Sequence, residues 1–253
     1  MEKKDKKRLV SGVGLLAAFA VWTVLVRFVD VRAIGPEGSS VGFAALNRSV
    51  HELTGVNWAL YTVTDWLGLV PIAAALGFAV LGLVQLLKRK SLQKVDRSIL
   101  TLGVFYIVVM AVYLFFEVVV INYRPTLIEG ALEASYPSST TMLVMCVMPT
   151  AAIELNARVK HARLRRCTTV AIIIFTAFTV TARLLSGVHW ITDIIAGTSL
   201  SAGLVTVYAP IRNKLTKRIR ASVRREKSPQ RSPRQPSKLG SRLIYEALCE
   251  HSE

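Results

Sequence analysis

Hydrophobic and polar positions fall in long blocks along this chain. Six apolar blocks stand out, at residues 9–29, 66–87, 99–121, 138–155, 167–182 and 191–211. Most run to about 18–23 residues with almost no charge, the length that crosses ~30 Å of hydrocarbon at ~1.5 Å per residue. Each predicts a transmembrane helix, and together they predict an all-α, polytopic membrane fold. The first block is long for a signal-peptide core and no small-x-small pattern follows it, so it is expected to stay as the first span. Pro149 lies inside the fourth block and predicts a kink, because proline cannot donate to the carbonyl four residues back.

The segment 30–65 has a different rhythm. Gly35-Pro36-Glu37-Gly38 is turn chemistry. Phe43, Leu46, Val50 and Leu53 then recur at spacings of three and four, which predicts a short amphipathic helix ended by Gly55. Such a helix lies along a membrane surface rather than across it. Trp58, Tyr61 and Trp66 follow as an aromatic cluster suited to the headgroup level.

Charge fixes the expected orientation. The formal net charge is +16, which in a soluble chain would suggest nucleic acid. Its placement argues otherwise. The segments 1–8, 88–97, 158–166 and 212–253 hold 27 of the 32 Lys and Arg residues, and six spans put all four on one side. The positive-inside rule makes that side, and both termini, cytoplasmic. The segments 30–65, 122–137 and 183–190 then share the extracytoplasmic side of the cell membrane. The expected organisation is a six-span domain over 1–211, with 30–65 as its outer surface segment, followed by a basic, largely disordered cytoplasmic tail over 212–253. The tail carries no aromatics interleaved among its basic residues, so no nucleic-acid partner is expected; its first part suits anionic headgroups. Cys146, Cys167 and Cys249 are odd in number and unpaired by spacing, which indicates neither a disulfide framework nor a zinc site.

The outer segments collect the residues with reactive chemistry: Arg124, the turn Ser138-Ser139-Thr140, Arg183, His189 and Asp193. Singly, the arginines read as interfacial residues with snorkelling side chains, Ser138 as a helix N-cap, and His189 with Asp193 as a hydrogen-bonded pair. On one side of a membrane they make a stronger case. Ser138 and Ser139 open a helix, whose first amides lack partners within it and attract an anion. Arginine forks suit phosphate oxygens. His189 and Asp193 are four apart, so a helix would place both on one face. The carboxylate can then hold one imidazole nitrogen and leave the other to attack. Such donors meet the charge that grows on the equatorial oxygens of a phosphoryl group in transfer, with neither metal nor cofactor. A transporter or channel would put its charges at mid-span, whereas most of these lie at span ends.

These residues resemble the type 2 phosphatidic acid phosphatase (PAP2) superfamily of membrane phosphatases. Its motifs KxxxxxxRP, PSGH and SRxxxxxHxxxD align with Glu117 to Arg124-Pro125, with Pro137-Ser138-Ser139-Thr140, and with Ala182-Arg183 through His189 to Asp193. The resemblance, over roughly residues 60–210, implies a six-helix bundle in the bilayer acting on a membrane lipid phosphate or diphosphate. It also implies a phosphohistidine on His189, Asp193 as its orienter, and phosphate binding by Arg124, Arg183 and the Ser138 turn. Three positions depart. Glu117 replaces the first-motif lysine, Thr140 the second-motif histidine, and Ala182 the third-motif serine. In the family that histidine protonates the leaving group, a contribution of ~10²–10⁴-fold for a general acid. Glu117 is seven residues from Arg124 and would face it if the helix continued that far. Two functions follow: a phosphatase whose leaving group needs no acid, such as an isoprenyl diphosphate, or draws its proton from Glu133 or Glu117; and a degenerate member that binds an anionic headgroup without hydrolysis.

Overall fold

The computed structural model describes residues Lys3–Glu226. Among them are eight α-helices: α1 (Lys3–Phe28), α2 (Ala44–Thr54), α3 (Trp58–Leu67), α4 (Leu69–Arg89), α5 (Arg97–Val118), α6 (Ser139–Arg158), α7 (Ala162–Leu185) and α8 (Ile191–Glu226). Among the described residues the only paired strands are β1 (Arg32–Ala33) and β2 (Ser40–Val41), an antiparallel pair closed by the predicted Gly35–Gly38 turn.

Among the described residues six segments are long and apolar enough to cross a membrane: α1, α3 with α4 as one stretch, α5, α6, α7, and Ile191–Lys217 of α8. This is a multi-pass helical membrane protein. The chain enters the second span earlier than expected, at Trp58 rather than Trp66. Helix α3 gives way to α4 at Gly68, three residues before Pro71, which has no N–H for the carbonyl of Leu67. Pro149 sits inside α6 and Pro210 inside α8, both tolerated within long helices. Helix α8 runs past Ile211 to Glu226, so the first part of the expected tail is helical. Residues 227–253 of that tail lie outside the described residues.

Helix α6 is the most enclosed of the spans, and α4, α5 and α7 pack on it. On another side, α1 and α8 approach closely through glycines. A Cβ on Gly203 would stand 2.8 Å from Leu16, and one on Gly12 2.7 Å from Val207. Small residues let helix backbones meet in lipid, where apolar burial alone gives little drive. The core gathers Phe19 from α1, Phe105 and Phe116 from α5, Met142 and Cys146 from α6, and Leu200 and Tyr208 from α8. Large exposed side chains such as Ile107, Phe115, Ile173 and Ile174 form the apolar exterior a bilayer requires.

Helix α2 buries Ala44 and Asn47. Leu46 and Leu53 are exposed while Asn47 is fully buried. The Asn47 amide donates to Thr192 Oγ1 at 3.0 Å and to the Gly42 carbonyl at 2.7 Å, and accepts from the Thr192 backbone N–H at 3.3 Å. Of the predicted apolar stripe, Leu46 and Leu53 thus face away from the protein, while Phe43 stacks on Trp22 with ring centres 5.1 Å apart. The Asn47-Arg48-Ser49 triplet, a formal glycosylation match, has its asparagine locked inside.

Candidate active site

At one end of the bundle, the end of α7, the start of α6, the start of α8 and the loop 119–138 converge. Arg183 lies in the last turn of α7 rather than in a loop, and is 2% exposed. Its Nη1 donates to Thr64 Oγ1 at 3.1 Å, its guanidinium carbon lies 4.8 Å from the centre of the Tyr61 ring, and Asp65 Oδ1 stands 3.8 Å away. Tyr61 therefore serves as a shelf for Arg183 as well as an interfacial aromatic. Arg183 Nε is buried without a hydrogen-bond partner among the described residues.

Arg124 sits in the loop after α5. That helix ends at Val118, so Glu117 does not reach Arg124 along a continuous helix. The arginine pairs instead with Glu133, Nε to Oε2 at 3.0 Å, across a short bridged turn that joins Tyr123 to Ala134. The Nε–H is not aligned for a hydrogen bond. Glu117 lines a small pocket of about 270 Å³ beside Ser135 and Tyr136.

His189 precedes α8 and is 3% exposed. Arg124 Nη1 approaches its Nε2 at 3.3 Å. A guanidinium can only donate, so Nε2 accepts, and the imidazole is neutral with its proton on Nδ1. Burial holds its pKa well below the usual 6.5, and the charges of Arg124 and Arg183 push it the same way; the Ser135 backbone pulls weakly back. Nδ1 faces Asp193 Oδ2 at 3.7 Å, an electrostatic contact longer than a hydrogen bond. Asp193 spends its acceptors elsewhere as well: Oδ2 takes the Trp190 backbone N–H at 3.0 Å and Oδ1 the Asn122 amide at 3.3 Å. The carboxylate thus fixes the start of α8 and the loop that carries His189.

Ser138 caps α6, but its own N–H is taken by the Asp193 carbonyl at 3.1 Å. The anion-attracting amides are therefore those of the first helical turn, Ser139, Thr140 and Thr141, which have no acceptor within the helix. Ser138 Oγ is buried and unpartnered. A Cβ on Gly197 would meet the Ser138 carbonyl at 3.1 Å, so the starts of α6 and α8 lie against each other. Beside this corner, Ser139 and Thr140 line a second groove of about 910 Å³ with Asp65, Leu69, Met110 and Leu143.

The expected residues come together, with Glu117 and Glu133 exchanging places as the partner of Arg124. Thr64 and Asp65 lie in no motif and reach Arg183 only through the packing of α3 on α7. Asn122 occupies an unspecified position of the first motif, in the loop after α5, and Asn47 carries only the glycosylation triplet as a sequence signal.

Fold and site define a polytopic membrane bundle whose buried, cationic corner is built at the ends of its spans. Residues 117–217 match the model of the PAP2 superfamily, a stretch that contains the three motif-like sequences with their departures at Glu117, Thr140 and Ala182. The crystal structure of the first transmembrane PAP2 type phosphatidylglycerolphosphate phosphatase from Bacillus subtilis shares the fold, with a TM-score of 0.52 at 19% identity over 81% of this chain and 96% of that one. No curated protein matches the chain.

Proposed function

We propose that this protein is a membrane-embedded phosphatase that hydrolyses a lipid phosphate or isoprenyl diphosphate through a phosphohistidine on His189. One observation carries the reading. A neutral imidazole presents Nε2 to Arg124 at 3.3 Å, in a corner where Arg183 Nε and Ser138 Oγ are buried donors without partners. A phosphoryl group entering there would take those donors and displace Arg124 from the lone pair of the nucleophile. Nε2 then attacks phosphorus, the bond to the lipid oxygen breaks, and the ring becomes a cation next to Asp193. Arg124, Arg183 and the α6 amides meet the charge on the equatorial oxygens.

The match of residues 117–217 to the PAP2 model and the shared fold support a lipid substrate in the bilayer, as does the groove at the site's edge. The basic segments at the opposite end of the bundle support a cytoplasmic placement of both termini and an extracytoplasmic site. A diphosphate suits the site because its phosphate leaving group departs without a proton. A second reading, headgroup binding without hydrolysis, is favoured by Thr140, which stands where the motif's acid belongs.

Purified protein assayed on a polyprenyl diphosphate and on phosphatidate tests both. We expect phosphate release, faster from the diphosphate, and its loss in His189→Ala. Binding of either lipid with no release, unchanged by His189→Ala, overturns the phosphatase reading.

A further inference from the structure

The phosphohistidine must be hydrolysed, and the residue expected to manage protons on that side is a threonine. We propose that Asp65 is the base of this second half-reaction, taking a proton from the water that attacks the phosphohistidine. The inference rests on the phosphatase reading above.

Position is the first argument. In-line displacement puts the incoming water where the leaving oxygen was, on the face of phosphorus opposite His189. The lipid tail marks that face, since it must lie in apolar surroundings. The groove beside the site supplies them through Leu69, Ile72, Met110 and Leu143, and its wall holds one carboxylate, Asp65. Ser139 and Thr140 stand on the same wall at the start of α6, so the groove reaches the phosphate-binding turn. Asp65 Oδ1 is 3.8 Å from Arg183 Nη1, so the carboxylate is one guanidinium away from the phosphoryl group.

Availability is the second argument. Glu133 is paired with Arg124 at 3.0 Å, and Asp193 is held by Trp190 and Asn122. Glu117 lines the smaller pocket, beside Tyr113, and not the groove. Among the described residues the Asp65 side chain has only its long contact with Arg183, and it is 65% exposed. A carboxylate accepts protons at neutral pH, and an exposed one can pass them on to solvent. A threonine hydroxyl does neither.

The step balances. The water oxygen bonds to phosphorus as the P–Nε2 bond breaks, and that electron pair returns to Nε2. One water proton goes to Asp65 and from there to bulk. Inorganic phosphate leaves, and His189 is again neutral with its proton on Nδ1.

The test is quenched-flow turnover of full-length protein in detergent, using a polyprenyl diphosphate labelled on its terminal phosphate and an alkaline quench that preserves phosphohistidine. For Asp65→Asn we expect a burst of lipid product near one per enzyme. A steady rate ~10²–10⁴-fold below wild type follows, with labelled His189 accumulating. Asp65→Glu restores part of the rate and lowers the label. If Asp65→Asn carries no more label than wild type, or raises KM at unchanged kcat, Asp65 merely orients Arg183 and the assignment fails alone. If wild type neither turns over nor takes up label, the phosphatase reading fails and this one with it.

Discussion

Arg124 holds the lone pair of His189, Nη1 to Nε2 at 3.3 Å, while Glu133 holds Arg124 from the other side at 3.0 Å. The chain of contacts keeps the imidazole neutral and its lone pair occupied until a stronger acceptor arrives. Arg124→Lys keeps the charge and loses the fork that spans phosphate oxygens. Its kcat/KM should fall ~10²–10³-fold, as for loss of one transition-state donor. Steady-state phosphate release checks this; an unchanged rate removes Arg124 from the site.

The pH dependence follows from two histidines. Burial lowers the pKa of His189 and, on α2, of His51 below the usual 6.5. The unfolded chain takes up protons at each as pH drops through about 6.5, and the folded chain does not. Stability should therefore be full above 6.5 and decline below it, until the folded-state values are reached. If His189 attacks as the neutral imidazole, as proposed, activity should persist below pH 6.5. Melting temperature and turnover between pH 5 and 8 measure both; the slope of stability below 6.5 should shrink in His51→Gln. A melting temperature that rises on acidification contradicts the sign.

Gly187 adopts φ +68°, and a Cβ there would stand 1.7 Å from the Gly55 carbonyl oxygen. Backbone cannot yield as a side chain tip can, so Gly187→Ala must shift the turn before His189. A displacement near 1 Å costs ~10²-fold in rate. The variant should retain its fold by circular dichroism and lose turnover on that scale. Full activity would mean that the turn does not position the nucleophile.

At the other end of the bundle, Glu154 of α6 is fully buried. It accepts from Arg212 Nε at 2.7 Å and Tyr208 Oη at 2.9 Å, and pairs with Arg158. Glu154→Ala leaves these cations without their partner and should cost ~3–5 kcal/mol, the usual penalty for breaking a buried pair. Thermal unfolding in detergent reads the loss. The kcat of the surviving folded fraction should remain close to wild type, because the network lies away from His189.

Much of this protein is determined by its sequence alone. Apolar block length sets six spans, because a bilayer leaves the backbone no other partner than its own helix. Clustering of the basic residues separates the two ends of the bundle. The motif spacings select His189, Asp193, Arg124, Arg183 and the Ser138 turn, since reactive polar groups stand out sharply against long apolar runs.

Tertiary structure decided the partners. Periodicity suggested Glu117 for Arg124, but α5 ends at Val118 and the following loop folds back to offer Glu133. The apolar stripe of α2 pointed to a surface helix, yet its contribution to the site is the buried Asn47, which pins Thr192 beside Asp193. Asp65 and Thr64 belong to no motif and lie more than a hundred residues before Arg183; only packing of α3 against α7 brings them to it. Spacing along the chain reports neighbours on one helix, whereas contacts between helices depend on how the helices pack, which local pattern does not encode.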